Sequence, residues 1–305
     1  MYIGIDFGGT NIRAAVVDKS GNLIHKNRIR TGDTSNYSVF LKRFIDFIQS
    51  TKKDFDIKGI GIGFPGSISK QQKIIVAPNL GWKNIDLRSD LSSQLNIPVI
   101  LDNDVNMAIC GEKWLGAAQD FSDFFMLTIG TGVGGAFFVG NNIYTGTGNN
   151  AGEIGHINIE PGGIECACGK KGCLEQYASA TALINFARRN LISNKESLLN
   201  DIELKDIEAQ HIYDAGKQGD RFALQAIDYN LKNLAIGIAA VVNLMNPQAI
   251  IIGGGVSHAG DFLLKRLRPF LKYYCLDFSY KDLVVRLASL GDEAGIFGSV
   301  YRHLK

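Results

Sequence analysis

The sequence predicts an α/β protein made of two related halves, each opening on a strand, a glycine turn and a returning strand. Three observations carry this expectation. The succession occurs first at residues 2–7, 8–10 and 12–17 and recurs about 120 residues later at 124–129, 130–135 and 136–139, as a duplicated unit would. The 35 glycines are about 11% of the 305 residues, against a usual level of about 7%. Of these, 13 crowd into positions 130–172, which marks tight turns and close backbone approach to a ligand. The length suggests two domains at about 100–200 residues each, and a hydrophobic content of 46% is enough to fill their cores.

In chain order, strands at 2–7 and 12–17, a turn at 19–22 and a strand beginning at Leu23-Ile24 form an opening meander. Phe40, Phe44, Ile45 and Ile48 keep helical spacing over 37–51, and 60–64 is a short apolar run that reads as a buried strand leading into Pro65-Gly66. A strand at 99–101 ends at Asp102-Asn103-Asp104, and a short helix follows at 106–114. The second half adds a helix over 174–190, a polar stretch at 193–206, a long helix over 220–245 and a strand at 249–252. Gly253-Gly254-Gly255 then turns into an amphipathic helix at 261–272, and 294–301 reads as a small-residue helix able to pack closely. The expected division is 1–115, with 293–305 packing back on it, and 116–292 carrying a cysteine-rich loop.

Composition excludes several classes of function. With 32 Lys plus Arg against 30 Asp plus Glu the net charge is +2, and no run of like charges offers a surface for nucleic acid or anionic membrane. The longest apolar stretch, 234–242, is interrupted at Asn243 and falls far short of the about 20 residues that a membrane span needs. No basic region followed by an apolar core opens the sequence, so a cytoplasmic protein is expected. Three of the five cysteines fall within residues 166–173, a pattern that points to a metal before a disulfide.

Gly130, Gly132 and Gly135 satisfy G-x-G-x-x-G after a strand, but a dinucleotide fold needs a helix next, and Ala136-Phe137-Phe138-Val139 is β-like. A plain hairpin turn needs one or two glycines. The four here, counting Gly134, suggest backbone N–H groups that reach an anion unobstructed. No G-x-x-x-x-G-K-[ST] occurs, which excludes P-loop chemistry. Asp6, beside Gly8-Gly9, repels phosphate but can hold Mg2+ directly or through water, with a strand-end turn residue as the plain alternative. His156, Cys166, Cys168 and Cys173 form a Cys3His set, the composition of a closed tetrahedral structural zinc site, and Gly169 and Gly172 let the chain curl around it. Three buried free cysteines are the plain alternative, and the spacing and the nearby histidine speak against it.

Asp6-Phe7-Gly8-Gly9-Thr10, Gly130–Gly135 and Gly253-Gly254-Gly255 resemble the phosphate and adenosine elements of the sugar kinase, Hsp70 and actin superfamily. With Leu101-Asp102-Asn103-Asp104-Val105-Asn106 and the segment from Glu153 to Glu175, essentially the whole chain resembles the ROK family (repressor, open reading frame, kinase), most of all its bacterial glucokinases. The resemblance implies a two-domain actin-like ATPase (ribonuclease H-like) fold with mixed sheets and a sugar in the interdomain cleft. It also implies ATP-dependent phosphorylation of a hexose at the 6-hydroxyl, foremost glucose to glucose 6-phosphate at the entry to glycolysis, by a homodimer.

Position by position, Asp104 matches the family's catalytic base, a role that suits a carboxylate able to take the hydroxyl's proton. Asp102 is the lesser candidate, and capping of the following helix by either aspartate is the plain alternative. Gly66, Asn79, Asn103 and Asp104 on one wall, with Glu153, His156 and Glu175 on the other, match sugar-binding positions. His156 would then place one ring nitrogen on zinc and the other toward a hydroxyl, and zinc would position Glu175. Asp6, Gly8, Gly9, Thr10, Asn11, Thr131, Gly132, Gly134, Gly254 and Gly255 match the nucleotide site, with Mg2+ bridging the phosphates near Asp6.

An N-acetylmannosamine, N-acetylglucosamine or fructose kinase differs only in the pocket around C2. A sugar-responsive repressor of this family carries a DNA-binding domain ahead of the first strand, which here begins at residue 2. An actin-like or chaperone ATPase has no need of the cysteine cluster.

Overall fold

The computed structural model describes all 305 residues, Met1–Lys305. The chain opens with β1 (Tyr2–Phe7), β2 (Asn11–Val17), β3 (Leu23–Arg30), α1 (Tyr37–Lys52) and β4 (Ile60–Phe64). It continues with β5 (Ser67–Ile68), β6 (Ile74–Ala77), β7 (Trp82–Ile85), α2 (Leu87–Leu95), β8 (Val99–Asn103) and α3 (Asp104–Trp114). The second half runs through β9 (Phe124–Ile129), β10 (Val133–Val139), β11 (Asn142–Tyr144), α4 (Glu175–Ala178), α5 (Ala180–Asn190), α6 (Ala209–Lys217) and α7 (Arg221–Met245). It ends with β12 (Ala249–Gly253), α8 (Asp261–Tyr274), α9 (Asp277–Tyr280), β13 (Val284–Leu287) and α10 (Ala294–Tyr301). No helix is long and apolar enough to cross a membrane.

One five-stranded sheet has the order β3-β2-β1-β4-β8 and the other β11-β10-β9-β12-β13, so each half places its hairpin strands first and two crossover strands last. In the first sheet β1, β2 and β3 pair antiparallel, whereas β4 and β8 add in parallel. Burial follows from that order. β4 is buried at every position, as a central parallel strand must be. β3 is an edge whose exposed Lys26, Arg28 and Arg30 protect it from pairing with another chain.

Two compact units result. The first comprises Met1–Ser122, Ala136–Ala151 and Ser289–Lys305, and the second Asp123–Gly135 and Gly152–Ala288. In the first unit Ile3, Ile5 and Phe7 point to one face of β1 and join α1 in a core that contains Phe40, Phe44, Phe64 and Trp82. The opposite face carries α10 so closely that a Cβ at Gly4 or Gly61 would collide with the carbonyl oxygens of Ile296 or Ser299.

Several elements depart from the sequence expectation. The helix expected over 174–190 breaks at Ser179, which is extended (φ −74°, ψ 165°) and caps α5 by accepting the Ala182 N–H. Asn230 of α7, buried, stabilises the break by donating to the carbonyls of Tyr177 and Ser179. The glycine turn expected over 130–135 is shorter, because β10 begins at Val133 and takes in Gly134 and Gly135. The helix expected from 106 begins at Asp104. The antiparallel sheet β5-β6-β7, helices α2 and α6, and the edge strand β13 were not anticipated.

Candidate functional site

Asp104 occupies the first position of α3, and the cap is Asn103, whose Oδ1 accepts the N–H groups of Val105 (2.9 Å) and Asn106 (3.4 Å). Neither aspartate is therefore the N-cap. Asn103 also donates from Nδ2 to the Gly66 carbonyl at 3.3 Å, which brings two of the expected sugar residues together. Asn79 is exposed in the short turn Pro78–Leu80 between β6 and β7. Asp102 is buried and fully engaged: Oδ1 accepts the Asn103 N–H and Asn106 Nδ2, both at 2.8 Å, and Oδ2 pairs with Arg302 Nη1 at 2.8 Å. A carboxylate so occupied is poorly placed to take a proton from substrate. Asp104 is half-buried at the end of the helix, with Oδ1 accepting the Val105 N–H at 2.9 Å.

Asp6 ends β1 beside the first glycine turn. Burial pushes its carboxyl up to about 6, Arg13 opposes the rise and Asp292 adds to it. Arg13 Nη1 lies 2.7 Å from Asp292 Oδ2 and 4.0 Å from Asp6 Oδ2, so one guanidinium serves two carboxylates. This donor set fits Mg2+, a hard cation that takes carboxylate oxygens and whose charge would offset the cost of ionising Asp6. The turn is fixed by its ends: Gly8 N–H donates to the Asn11 carbonyl at 3.0 Å, and Thr31 Oγ1 donates to the Gly8 carbonyl at 2.6 Å. Gly9 and Thr10 are left exposed at its tip, and Arg28 orients Asn11 by donating twice to its Oδ1.

In the second unit the loop from Gly130 to Gly132 closes by the Gly130 N–H to the Gly132 carbonyl at 3.0 Å. Thr181 Oγ1 donates to the Thr131 carbonyl at 2.8 Å. Glu175 Oε2 accepts the Val133 N–H at 3.0 Å, and a Cβ on Gly132 would strike the same oxygen. A residue expected at the sugar thus touches the expected phosphate loop. Gly134 lies within β10. Gly254 has φ +81°, and a Cβ there would meet the Ile129 backbone at 2.5 Å, so glycine is required where the loop after β12 meets the end of β9.

The ligand atoms of His156, Cys166, Cys168 and Cys173 all lie within 4.8 Å of one another. Tetrahedral zinc with bonds of about 2.3 Å to sulfur and about 2.0 Å to nitrogen sets ligand atoms about 3.5–3.8 Å apart. Cys168 Sγ and Cys173 Sγ are 3.6 Å apart, and Cys166 Sγ is 3.8 Å from His156 Nδ1, so the set fits that ion. Cys166 accepts the Gly169 N–H on its carbonyl (2.9 Å), and Gly172 turns at φ +79° against the Glu160 carbonyl, which curls the loop. Desolvation and the neighbouring sulfurs push the Cys173 thiol up to about 12 without metal, whereas the Lys170 backbone N–H and other donors hold Cys168 below the usual thiol range. The other ring nitrogen of His156, Nε2, faces Glu153 Oε2 at 3.9 Å.

Sequence reading missed Arg13, Asp292, Asn149 and Arg302. Asp292 stands in Gly291-Asp292-Glu293-Ala294-Gly295, where two acids before a small-residue helix were the available signal. The partners of Arg302 and Asn149 carried none.

A repeated five-stranded sheet with glycine turns at the ends of its first strands defines a two-domain actin-like ATPase fold. The chain belongs to the ROK family, whose pattern matches residues 2–304. It is 38% identical to a glucokinase of Halalkalibacterium halodurans over 306 residues, 97% of this chain and 93% of that one. A xylose repressor of Caldicellulosiruptor bescii is 32% identical over 98% of this chain and 76% of the repressor. Among solved structures, a ROK family glucokinase from Streptomyces griseus in complex with glucose and AMPPNP superposes with a TM-score of 0.85 at 32% identity. It covers 98% of this chain and 97% of that one.

Proposed function

We propose that the protein transfers the γ-phosphoryl group of ATP to the 6-hydroxyl of a hexose, foremost glucose, with Asp104 as the general base. The observation that carries the reading is the turn from β8 into α3, where Asp102 is consumed by Arg302 and amide donors while Asp104 heads the helix. The likeness to a glucokinase that holds glucose and AMPPNP supports the substrate class. Asp104 accepts the proton of the 6-hydroxyl as its oxygen attacks the γ-phosphorus; the bond to the bridging oxygen breaks and ADP leaves. Asn103, Gly66, Asn79, Glu153, His156 and Glu175 orient the sugar. Side chains that both donate and accept match hydroxyls that do the same. The backbone N–H groups around Gly8-Gly9 and Gly130–Gly132, with Thr10, Asn11 and Thr131, cradle the phosphates, and Gly254-Gly255 the nucleoside. Mg2+, held near Asp6, would neutralise charge on the phosphates, in a reaction whose catalysis is mostly positioning and electrostatics. The Cys3His set would supply all four ligands of a zinc ion, whose part would be to hold the loop that carries His156 and Glu175.

A coupled assay with Mg-ATP against glucose, mannose, fructose, N-acetylglucosamine and N-acetylmannosamine tests the reading and ranks the substrates. Failure to phosphorylate any of them rejects it. Sugar binding without turnover would then favour a repressor-like sensor, the reading that the xylose repressor relative keeps open. Family membership also supports a cytoplasmic homodimer, and sedimentation of the purified chain reads its mass.

A further inference from the structure

We infer that Arg302, in the last turn of the chain, is a positioning residue for the base, acting through Asp102. The inference rests on the reading of Asp104 as that base. Arg302 follows α10 and its backbone N–H still donates to the Gly298 carbonyl at 3.1 Å, so a packed helix holds it. Its side chain is 24% exposed, whereas that of Asp102 is 5% exposed. The ion pair fixes Oδ2 of Asp102 and thereby aims Oδ1 at the Asn103 N–H, at Asn106 Nδ2 and, more distantly at 3.5 Å, at Asn149 Nδ2. Those donors define the turn into α3. Asn103 holds Gly66 and caps the helix, Asn106 donates its N–H to the cap, and Asn149 also donates to the Ile68 carbonyl at 2.9 Å.

A buried ion pair is a poor device for stability alone, since the desolvation of both charges offsets most of their attraction. It is a good device for direction. Without Arg302 the Asp102 carboxylate would be freer to rotate, and the amides that depend on Oδ1 would lose their common acceptor. The two residues at stake, Asn103 and Asp104, are the ones expected to touch the reacting hydroxyl. Displacement of such groups by about 1 Å can cost about a hundredfold in rate.

The test compares wild type, Asp104→Asn, Arg302→Ala and Arg302→Lys in the hexose assay, with the melting temperature of each variant measured alongside and turnover read well below it. Arg302→Ala should lower kcat by about tenfold to a hundredfold with the KM for ATP within about twofold. Arg302→Lys should recover most of the loss, and added guanidinium ion should restore part of the activity of Arg302→Ala. Wild-type kcat in Arg302→Ala, or a loss that follows the melting temperature and is insensitive to guanidinium, overturns the inference. Should Arg302→Ala not fold, Arg302→Gln decides: kcat reduced at an unchanged melting temperature supports positioning, and wild-type kcat, or kcat falling only with stability, refutes it. An active wild type whose Asp104→Asn variant is equally active removes the base assignment itself. Turnover of no hexose by wild type removes the proposed function, and this inference with it.

Discussion

Asp104 stands one residue past the cap of α3, where its Oδ1 accepts the Val105 N–H at 2.9 Å. Substitution of Asp104 by Asn keeps the size and most of the hydrogen bonding but removes the proton acceptor. Turnover should fall by about a hundredfold to ten-thousandfold, with glucose affinity by calorimetry changed only a few-fold. Asp6 poses a different problem, because burial raises its carboxyl from 3.8 to about 6. The folded chain therefore binds the proton more tightly than the unfolded chain does. The resulting stability is fully present below about 4 and is lost as pH rises through about 6. Asp6→Asn should accordingly raise the unfolding free energy at pH 7 in the absence of Mg2+, by at most about 3 kcal/mol at about 1.4 kcal/mol per unit, and the gain should vanish at pH 4. An equal gain at both pH values would show that Asp6 is not the group responsible. The contrast between clusters explains what was legible at this scale. His156, Cys166, Cys168 and Cys173 lie close in sequence, so spacing alone announced that their ligand atoms would gather, as they do within 4.8 Å of one another. Asp292 and Arg302 meet Arg13 and Asp102 from far along the chain, and no local pattern encodes such a meeting.

Elements whose identity is written in local periodicity were readable in advance. The apolar runs of β1, β4, β9 and β12 and the helical spacing of α1 and α7 needed no distant partner, and their bounds fall close to those expected. β5, β6 and β7 have two to four residues each, with Lys73, Lys83 and Asn84 between apolar positions, too little for a period to show. The break at Ser179 depends on Asn230, some fifty residues away, and the helix propensity of the segment gave no hint of it. The loop from His156 to Cys173 is the element most exposed to loss of a single interaction, because glycine turns and two isolated bridges supply little order of their own. Cys168→Ser should abolish stoichiometric zinc by metal analysis and raise the hexose KM at least tenfold while the KM for ATP changes little. A metal-free wild type of full activity would refute this role for zinc. In α10 the critical residue is Gly298, where a Cβ would collide with the Met107 carbonyl. Gly298→Ala should cost about 1–3 kcal/mol in denaturant unfolding, the range for overpacking.

At the scale of the molecule, the first unit is assembled from three separate stretches, and its last stretch, Ser289–Lys305, returns only after the whole second unit has been made. Something must hold that returning stretch where it enters, and the structure supplies it in Glu112. This side chain is completely buried near the end of α3, yet both of its oxygens are used. It accepts the N–H groups of Ser289 (3.1 Å) and Leu290 (2.9 Å) and, on Oε2, that of Ala117 (2.7 Å), which closes the loop leaving α3. Charged acceptors make the stronger class of hydrogen bond, and the backbone donors they serve become costly when orphaned, at about 1–3 kcal/mol for each group left buried. Glu112→Ala should therefore leave Ser289, Leu290 and Ala117 without their acceptor and release the returning stretch ahead of global unfolding. Native-state hydrogen exchange should then show residues 289–305 losing protection at lower denaturant than β4 or α1, whereas in wild type they exchange together. Because the same stretch carries Asp292 toward Asp6 and Arg302 toward Asp102, the loss of protection should be accompanied by a fall in kcat. Uniform protection across the first unit in Glu112→Ala would show that the packing of α10 alone suffices to hold the stretch in place.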